Sequence, residues 1–159
     1  VLPAHDAARD AQNRDKGNEG IFCGAAIELK DGTIITGSNS SLMHAASSMI
    51  IHAIKYLAGI PEKIKLLPPH ITNAVGNLKT NILHERSVSL DLEEALIALS
   101  VSAINNTAAQ LAMEKLKDLK SCEVHITHIP TSGDEAGLRR LGVNLTSDPN
   151  FSTKDLFMP

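Results

Sequence analysis

The stretch CEVHITHIPTSGDEAGLRRLGVNLTS, residues 122–147, decides the fold. CEVHITHI (122–129) carries the β-branched content of a strand. Residues 130–133 make a turn, and DEAGLRRLG (134–142) predicts a short helix with acids at its positive end. VNLTS (143–147) predicts a final strand. A strand, helix and strand joined this closely predict a parallel crossover. The rest of the sheet comes from residues 21–37. IFCGAAIEL (21–29) reads as a buried strand, Asp31-Gly32 as a tight hairpin turn, and TIITG (33–37) as the antiparallel return. The expected class is α/β, a mixed sheet of antiparallel hairpin plus parallel strands, flanked by helices.

Helical patterns fill the remainder. Residues 3–16 form a short polar helix with Pro3 in its first turn. HAASSMIIHAIKYLA (44–58) buries Met49, Ile50, Ala53, Ile54 and Leu57 along one face and stops at Gly59 and Pro61. Pro68 and Pro69 open a helix through Leu83 with the stripe Ile71, Val75, Leu78 and Ile82. Asp91 and Glu94 make a capping box for ALIALSVSAI (95–104), which is apolar nearly all round and therefore expected to be central and buried. Thr107 and Gln110 suggest a second box, for a helix burying Leu111, Ala112, Leu116 and Leu119. The tail from Asp148 is expected to be irregular, with Phe151, Leu156 and Phe157 as anchors.

Composition narrows the function classes. With 43% apolar and 21% charged residues among 159, the chain is long enough to bury a core and too apolar for disorder. A net charge of −3, no Lys/Arg cluster and few aromatics argue against a nucleic-acid surface. No apolar run reaches the roughly 18 residues of a membrane span. The absence of a signal peptide, and two widely separated cysteines read as buried free thiols (Cys23 and Cys122), point to the cytoplasm. The first residue is Val, which suggests a fragment of a longer protein.

Two loops can carry chemistry. SNSSLMHAA (38–46) and IPTSGDEAG (129–137) both feed helix N-termini, where free N–H groups and the dipole favour anions. The candidate ligand-binding residues are Asn39, His44, Ser47, Thr131, Ser132, Gly133 and Asp134, and His44 is the candidate catalytic group. Capping by Ser132 or Asp134 explains the second loop equally simply. Neither loop matches a P-loop or a dinucleotide fingerprint. His125 and His128, three apart on a strand, point to opposite faces. His128 can instead join His44 and Asp134 as a metal trio, against hydrogen-bonded histidines as the simpler account, so no metal and no cofactor is expected. His52, Asp91, Glu93, Glu94 and Asp148 read as structural, the acids as cap, first-turn and turn residues.

The run GAAIELKDGTIITGSNS…HAA resembles the opening half of cytidine-deaminase-like domains, and CEVHITHIPTSGDEAGLRRLGV the outline of their second half. The resemblance implies zinc held by a His and two Cys, and a Glu that shuttles protons. His44 matches the first ligand. Ala46 stands at the Glu, and Thr131 and Asp134 at the two Cys, so deamination by that mechanism is not expected. Residues 61–119 would be a helical insertion.

A closer resemblance covers nearly the whole chain. GAAIELKDGTIITG, HAIKYLAGIPEKIKLLPP, SLDLEEALIALS, AAQLAMEKLKDLKSCE and THIPTSGDEAGLRRLGVNLTSDPNF are similar to the C-terminal part of a bacterial family, domain-of-unknown-function family 1846. Its members are much longer, with a glycine-rich, P-loop-like N-terminal part, and some carry the label ATP-dependent peptidase. The resemblance implies a C-terminal domain partnered by an N-terminal nucleotide-binding domain. It assigns no catalytic residues.

Three readings stay open. One is a non-catalytic deaminase-like domain that holds a small anionic or nucleotide-like ligand or packs against its N-terminal partner. The second is a zinc-independent enzyme domain, ATP-linked and transferase- or ligase-like, acting at the facing helix starts. The third is an oligomerisation module, with the 95–104 helix at a subunit contact.

Overall fold

The computed structural model describes residues 1–14, 17, 21–85 and 87–150. The expected anchors Phe151, Leu156 and Phe157 lie outside them. Among the described residues the elements run α1 (Leu2–Asn13), β1 (Gly24–Glu28), β2 (Ile34–Ser38), α2 (Ala45–Ala58), α3 (Pro69–Asn77), α4 (Leu92–Ser102), α5 (Thr107–Glu114), β3 (Glu123–Ile126), α6 (Ser132–Leu141) and β4 (Asn144–Ser147). A π-helical segment, Leu78–Ile82, continues α3, and a 3-10 segment, Lys115–Leu119, continues α5.

The strands form one sheet in the order β2-β1-β3-β4. β1 runs antiparallel to both β2 and β3, while β3 and β4 are parallel. This is the mixed sheet that the two sequence stretches predict. The hairpin turns at Asp31 and Gly32, where Asp31 accepts the Thr33 N–H at 2.9 Å.

Side chains alternate across a strand, so β1 presents Gly24 and Ala26 to one face and Ala25 and Ile27 to the other. α1 lies on the Gly24 face, close enough that a Cβ at Gly24 would fall 2.6 Å from the Ala8 backbone nitrogen. α2 lies on the Ala25 face. There Gly37, paired with Ala25, admits the α2 backbone, and a Cβ would fall 2.7 Å from Met49 Cα and 2.8 Å from the Ala45 carbonyl oxygen. Met49, Ile50, Ala53 and Ile54 of α2 are fully buried with Ile27, Val124, Leu99 and Leu138 in the main core. α2 ends at Gly59, whose φ of 70° places it in the left-handed region that glycine reaches without strain.

Three helical expectations need correction. The helix behind Asp91 does not lie buried all round. Leu92, Ala95, Ala98 and Leu99 face inward, but Ile97, Val101 and Ile104 are exposed. α4 is apolar on both faces, but only one of them packs against the rest of the chain. The stripe through α3 holds for Ile71 and Val75 and fails for Leu78 and Ile82, which are exposed. The π segment only begins at Leu78, and the inward face runs instead through Gly76 and Lys79, three apart. The cap of α5 is Asn106, whose side chain accepts the Ala109 N–H at 3.2 Å, and not Thr107. Gln110 donates to the Ala103 carbonyl, and Leu111 is exposed rather than buried.

Cys23 and Cys122 are both free and buried. Burial pushes the Cys23 thiol up to about 11. No helix of the described residues is long and apolar enough to cross a membrane.

Candidate functional site

Three helix starts meet in one place. α2 begins after His44, α4 after Asp91 and α6 after Thr131. They are gathered by a single carboxylate. Asp134, in the first turn of α6, receives His44 Nδ1 on Oδ2 at 2.8 Å and the Leu92 N–H of α4 on Oδ1 at 2.8 Å. One side chain therefore satisfies an otherwise orphaned helix donor and fixes an imidazole 90 residues away in sequence.

The backbone supports the meeting. Leu90 N donates to the Leu42 carbonyl at 2.9 Å and His44 N to the Leu90 carbonyl at 2.8 Å, forming an isolated parallel bridge between Met43 and Leu90. Ser47, fully buried, donates its hydroxyl to the same Leu90 carbonyl at 2.9 Å. α4 starts with the expected capping box: Asp91 accepts the Glu94 N–H and Glu94 accepts the Asp91 N–H, both at 2.9 Å. Lys79 from the π turn donates to Glu94 at 2.8 Å and to the Ser89 carbonyl at 2.6 Å. Gly133 lets α6 close on α4, since a Cβ there would run into the Asp91 carboxylate. Gly137 packs on Leu92 in the same way.

The electrostatics follow from this crowding. Burial lowers the His44 pKa, but the Asp134 hydrogen bond and charge, helped by Asp91, outweigh it. The net value lies above the ordinary 6.5. Burial raises the Asp91 carboxyl above its usual range, with the charges of Glu94 and Asp134 adding to the effect. An ionised carboxylate only accepts, so His44 Nδ1 carries the hydrogen toward Asp134. That leaves Nε2 for other chemistry. It accepts a proton when the ring is neutral and donates when the ring is charged. Among the described residues Nε2 has no hydrogen-bond partner, and the His44 side chain is 28% exposed. A carboxylate-oriented imidazole of this kind can act as general base, general acid or anion contact.

The sequence-predicted residues fall into two sets. His44, Thr131, Ser132, Gly133 and Asp134 come together. Thr131 is the cap of α6, accepting the Asp134 N–H at 3.3 Å, where the sequence suggests Ser132 or Asp134 as the cap. Ser132 is exposed in the first helical turn, where N–H groups lack intrahelical acceptors. Asn39 and Ser47 are tied into the scaffold. The Asn39 amide accepts the Cys23 N–H at 2.8 Å and donates to the Ile21 carbonyl at 2.9 Å.

The trio of His44, Asp134 and His128 is not assembled. His128 lies past the end of β3, bonds the Thr127 hydroxyl at 2.8 Å and has a pKa lowered by burial, with the Asp148 charge opposing. His52 is exposed and bonds the Thr36 carbonyl at 2.9 Å. Lys79 and the Leu92 amide escaped sequence reading. Nothing local marks a lysine of a π turn as buried, and a backbone donor has no sequence signature.

The geometry defines an α/β domain with a four-stranded mixed sheet and a histidine–aspartate pair set among converging helix starts. Residues 1–157 match the family model described as Domain of unknown function DUF1846, C-terminal, and the chain belongs to that family. Similar proteins include UPF0371 proteins of Clostridium botulinum (strain Alaska E43 / Type E3), 45% identical over 157 residues, and of Clostridioides difficile (strain 630), also 45% identical over 157 residues. A UPF0371 protein of Clostridium tetani (strain Massachusetts / E88) is 40% identical over 157 residues. Each match covers 99% of this chain and 31% of the relative, so the chain spans under a third of the length of these relatives.

Proposed function

We propose that this chain is a cytoplasmic, ligand-holding domain of a longer protein, and that it grips the anionic group of a small, nucleotide-like or phosphorylated molecule at His44. The observation that carries this reading is the bond between His44 Nδ1 and Asp134 Oδ2 at 2.8 Å. It turns the imidazole toward its charged form and leaves Nε2–H to meet an anion. Ser132 and the first N–H groups of α6 and α2 add neutral donors. The balance of charge sets the limits of the site. Three helix starts supply about half a positive charge each, which Asp91 and Asp134 largely offset. The protonated His44 then decides the sign, so binding strengthens as pH falls.

The deaminase-like frame, with residues 61–119 as its helical insertion, is part of this reading. Ala46 offers no proton carrier, and Thr131 with Asp134 makes a poor pair of zinc ligands, which favours binding over deamination. An enzyme reading keeps the same site, with His44 as acid or base and ATP bound by the N-terminal partner. A second surface favours assembly. Ile97, Val101, Ile104 and Leu111 are exposed on α4, the residues after it and α5, and offer an apolar ridge for the N-terminal partner or a second copy.

The test is titration of the chain with inorganic phosphate, pyrophosphate and ATP, followed by calorimetry and by the His44 imidazole NMR signals. Saturable binding that shifts His44 is expected. His44→Asn suits the N-cap position of α2 and offers an amide donor toward Asp134 while removing the ring, and it should weaken binding by about tenfold or more, the worth of one charge-assisted hydrogen bond. Unmoved His44 signals, or equal affinity in wild type and variant, would defeat the proposal.

A further inference from the structure

A second cluster lies on the opposite face of the sheet, against α1. His5 of α1, His125 of β3 and Asp148, just past β4, bring one ligand atom each within 4.8 Å of the others. His5 Nε2 stands 2.7 Å from Asp148 Oδ2, and His125 Nε2 stands 3.1 Å from Asp148 Oδ1. The two imidazole rings lie 6.0 Å apart between centroids, inclined by 30°. Two imidazoles and a carboxylate form the donor set that divalent transition ions take, and ligands around a tetrahedral ion sit about 3.3 Å apart. The observed spacings need only small side-chain adjustments to reach it.

The cluster is held from behind. His125 Nδ1 bonds the Thr146 hydroxyl at 2.7 Å, and that hydroxyl also reaches the Val124 carbonyl at 3.3 Å. With its hydrogen given to Val124, Thr146 is placed to accept from Nδ1–H. Nε2 then faces the Asp148 carboxylate, where it donates if it carries a proton and offers a lone pair to a metal ion if that proton is displaced. Asp148 is fixed by its own N–H, which donates to the Ile126 carbonyl at 3.0 Å and extends the β3–β4 ladder. His5 is fixed by α1, seated on Gly24 through the buried Ala4. Solvent reaches the cluster from one side. The His5 and Asp148 side chains are 40% and 24% exposed, and His125 only 10%. Water can therefore complete a coordination shell.

We propose that His5, His125 and Asp148 bind one divalent first-row transition ion of the zinc class, which clamps α1 to the β3–β4 end of the sheet. The three ligands come from three separate elements, so the arrangement is not a by-product of helical spacing. The site is distinct from the His44–Asp134 pair, and its test does not depend on that pair.

The experiment uses the untagged chain, stripped with chelator and titrated with Zn2+ by calorimetry and with Co2+ by visible absorption. One ion per chain is expected, with a rise in Tm on adding Zn2+. His5→Ala, His125→Ala and Asp148→Asn should each weaken binding at least about tenfold, and Thr146→Val by about tenfold through loss of its support to His125. His52→Ala, at an exposed histidine of α2 outside the cluster, should bind Zn2+ as wild type does. His5 is a surface residue, so His5→Ala keeps the test decisive if His125→Ala fails to fold. No Zn2+ binding, or binding unchanged in His5→Ala and Asp148→Asn, would overturn the proposal.

Discussion

Gly37→Ala is expected to destabilise the chain by about 3 kcal/mol or more, a large share of the roughly 5–15 kcal/mol that holds an ordinary domain folded. The added Cβ would land on backbone, not on a side chain that can rotate away. The atoms it meets belong to Met49 and Ala45 of α2. Relief requires α2 to lift from β2, and α2 contributes Met49, Ile50, Ala53 and Ile54 to the core. Urea unfolding of wild type and variant measures the loss. A midpoint within experimental error of wild type would show that α2 does not sit directly on the strand. Gly32→Ala gives a matched control for local chain entropy, since a Cβ at Gly32 meets nothing within 4 Å. Its φ of 85° makes its own cost local to the hairpin.

Asp134→Ala is the second large effect, expected at about 3 kcal/mol. It orphans the buried Leu92 N–H and leaves His44 without its partner. Asp134→Asn should cost less, because its amide oxygen still accepts from Leu92 and its NH2 can donate to a neutral His44. The pH dependence separates the two contributions. His44 binds its proton more tightly in the folded chain, so the pair's extra stability is complete below the ordinary pKa of 6.5. It is lost as pH rises through the higher folded value. His128 acts with the opposite sign, since its lowered folded value costs stability on acidification. The difference between wild type and Asp134→Asn cancels His128. That difference should therefore shrink as pH rises past 6.5 and beyond, and a flat difference from pH 5 to 8 would refute the coupling of His44 to Asp134.

Much of the frame was legible because its signals are local. Asp31-Gly32 marks the hairpin, the α2 stripe ends at Gly59, and the β3–α6–β4 segment carries its own turn and acids. The meeting of residues 44 and 134 was legible at one remove, from two strand-to-helix loops that a shared sheet brings together. What escaped depends on distant context. α4 looks central because its sequence is apolar, yet the chain supplies neighbours for one side only. Leu78 and Ile82 leave the buried stripe because the inward face runs through Gly76 and Lys79, whose residue types do not announce burial. His5, His125 and Asp148 carry no common spacing, and only the packing of α1 across β1 and β2, which carries His5 to His125 of the adjacent β3, unites them.

The Met43–Leu90 bridge has an evolutionary corollary. It pins the departure and the return of residues 44–90 side by side, so this excursion is a closed bight of chain hung from a fixed knot. Lengthening such a bight costs only a logarithmic increment of closure entropy. Relatives are therefore free to gain or lose residues around 61–65, where the loop is exposed, while the strands beneath it keep their register.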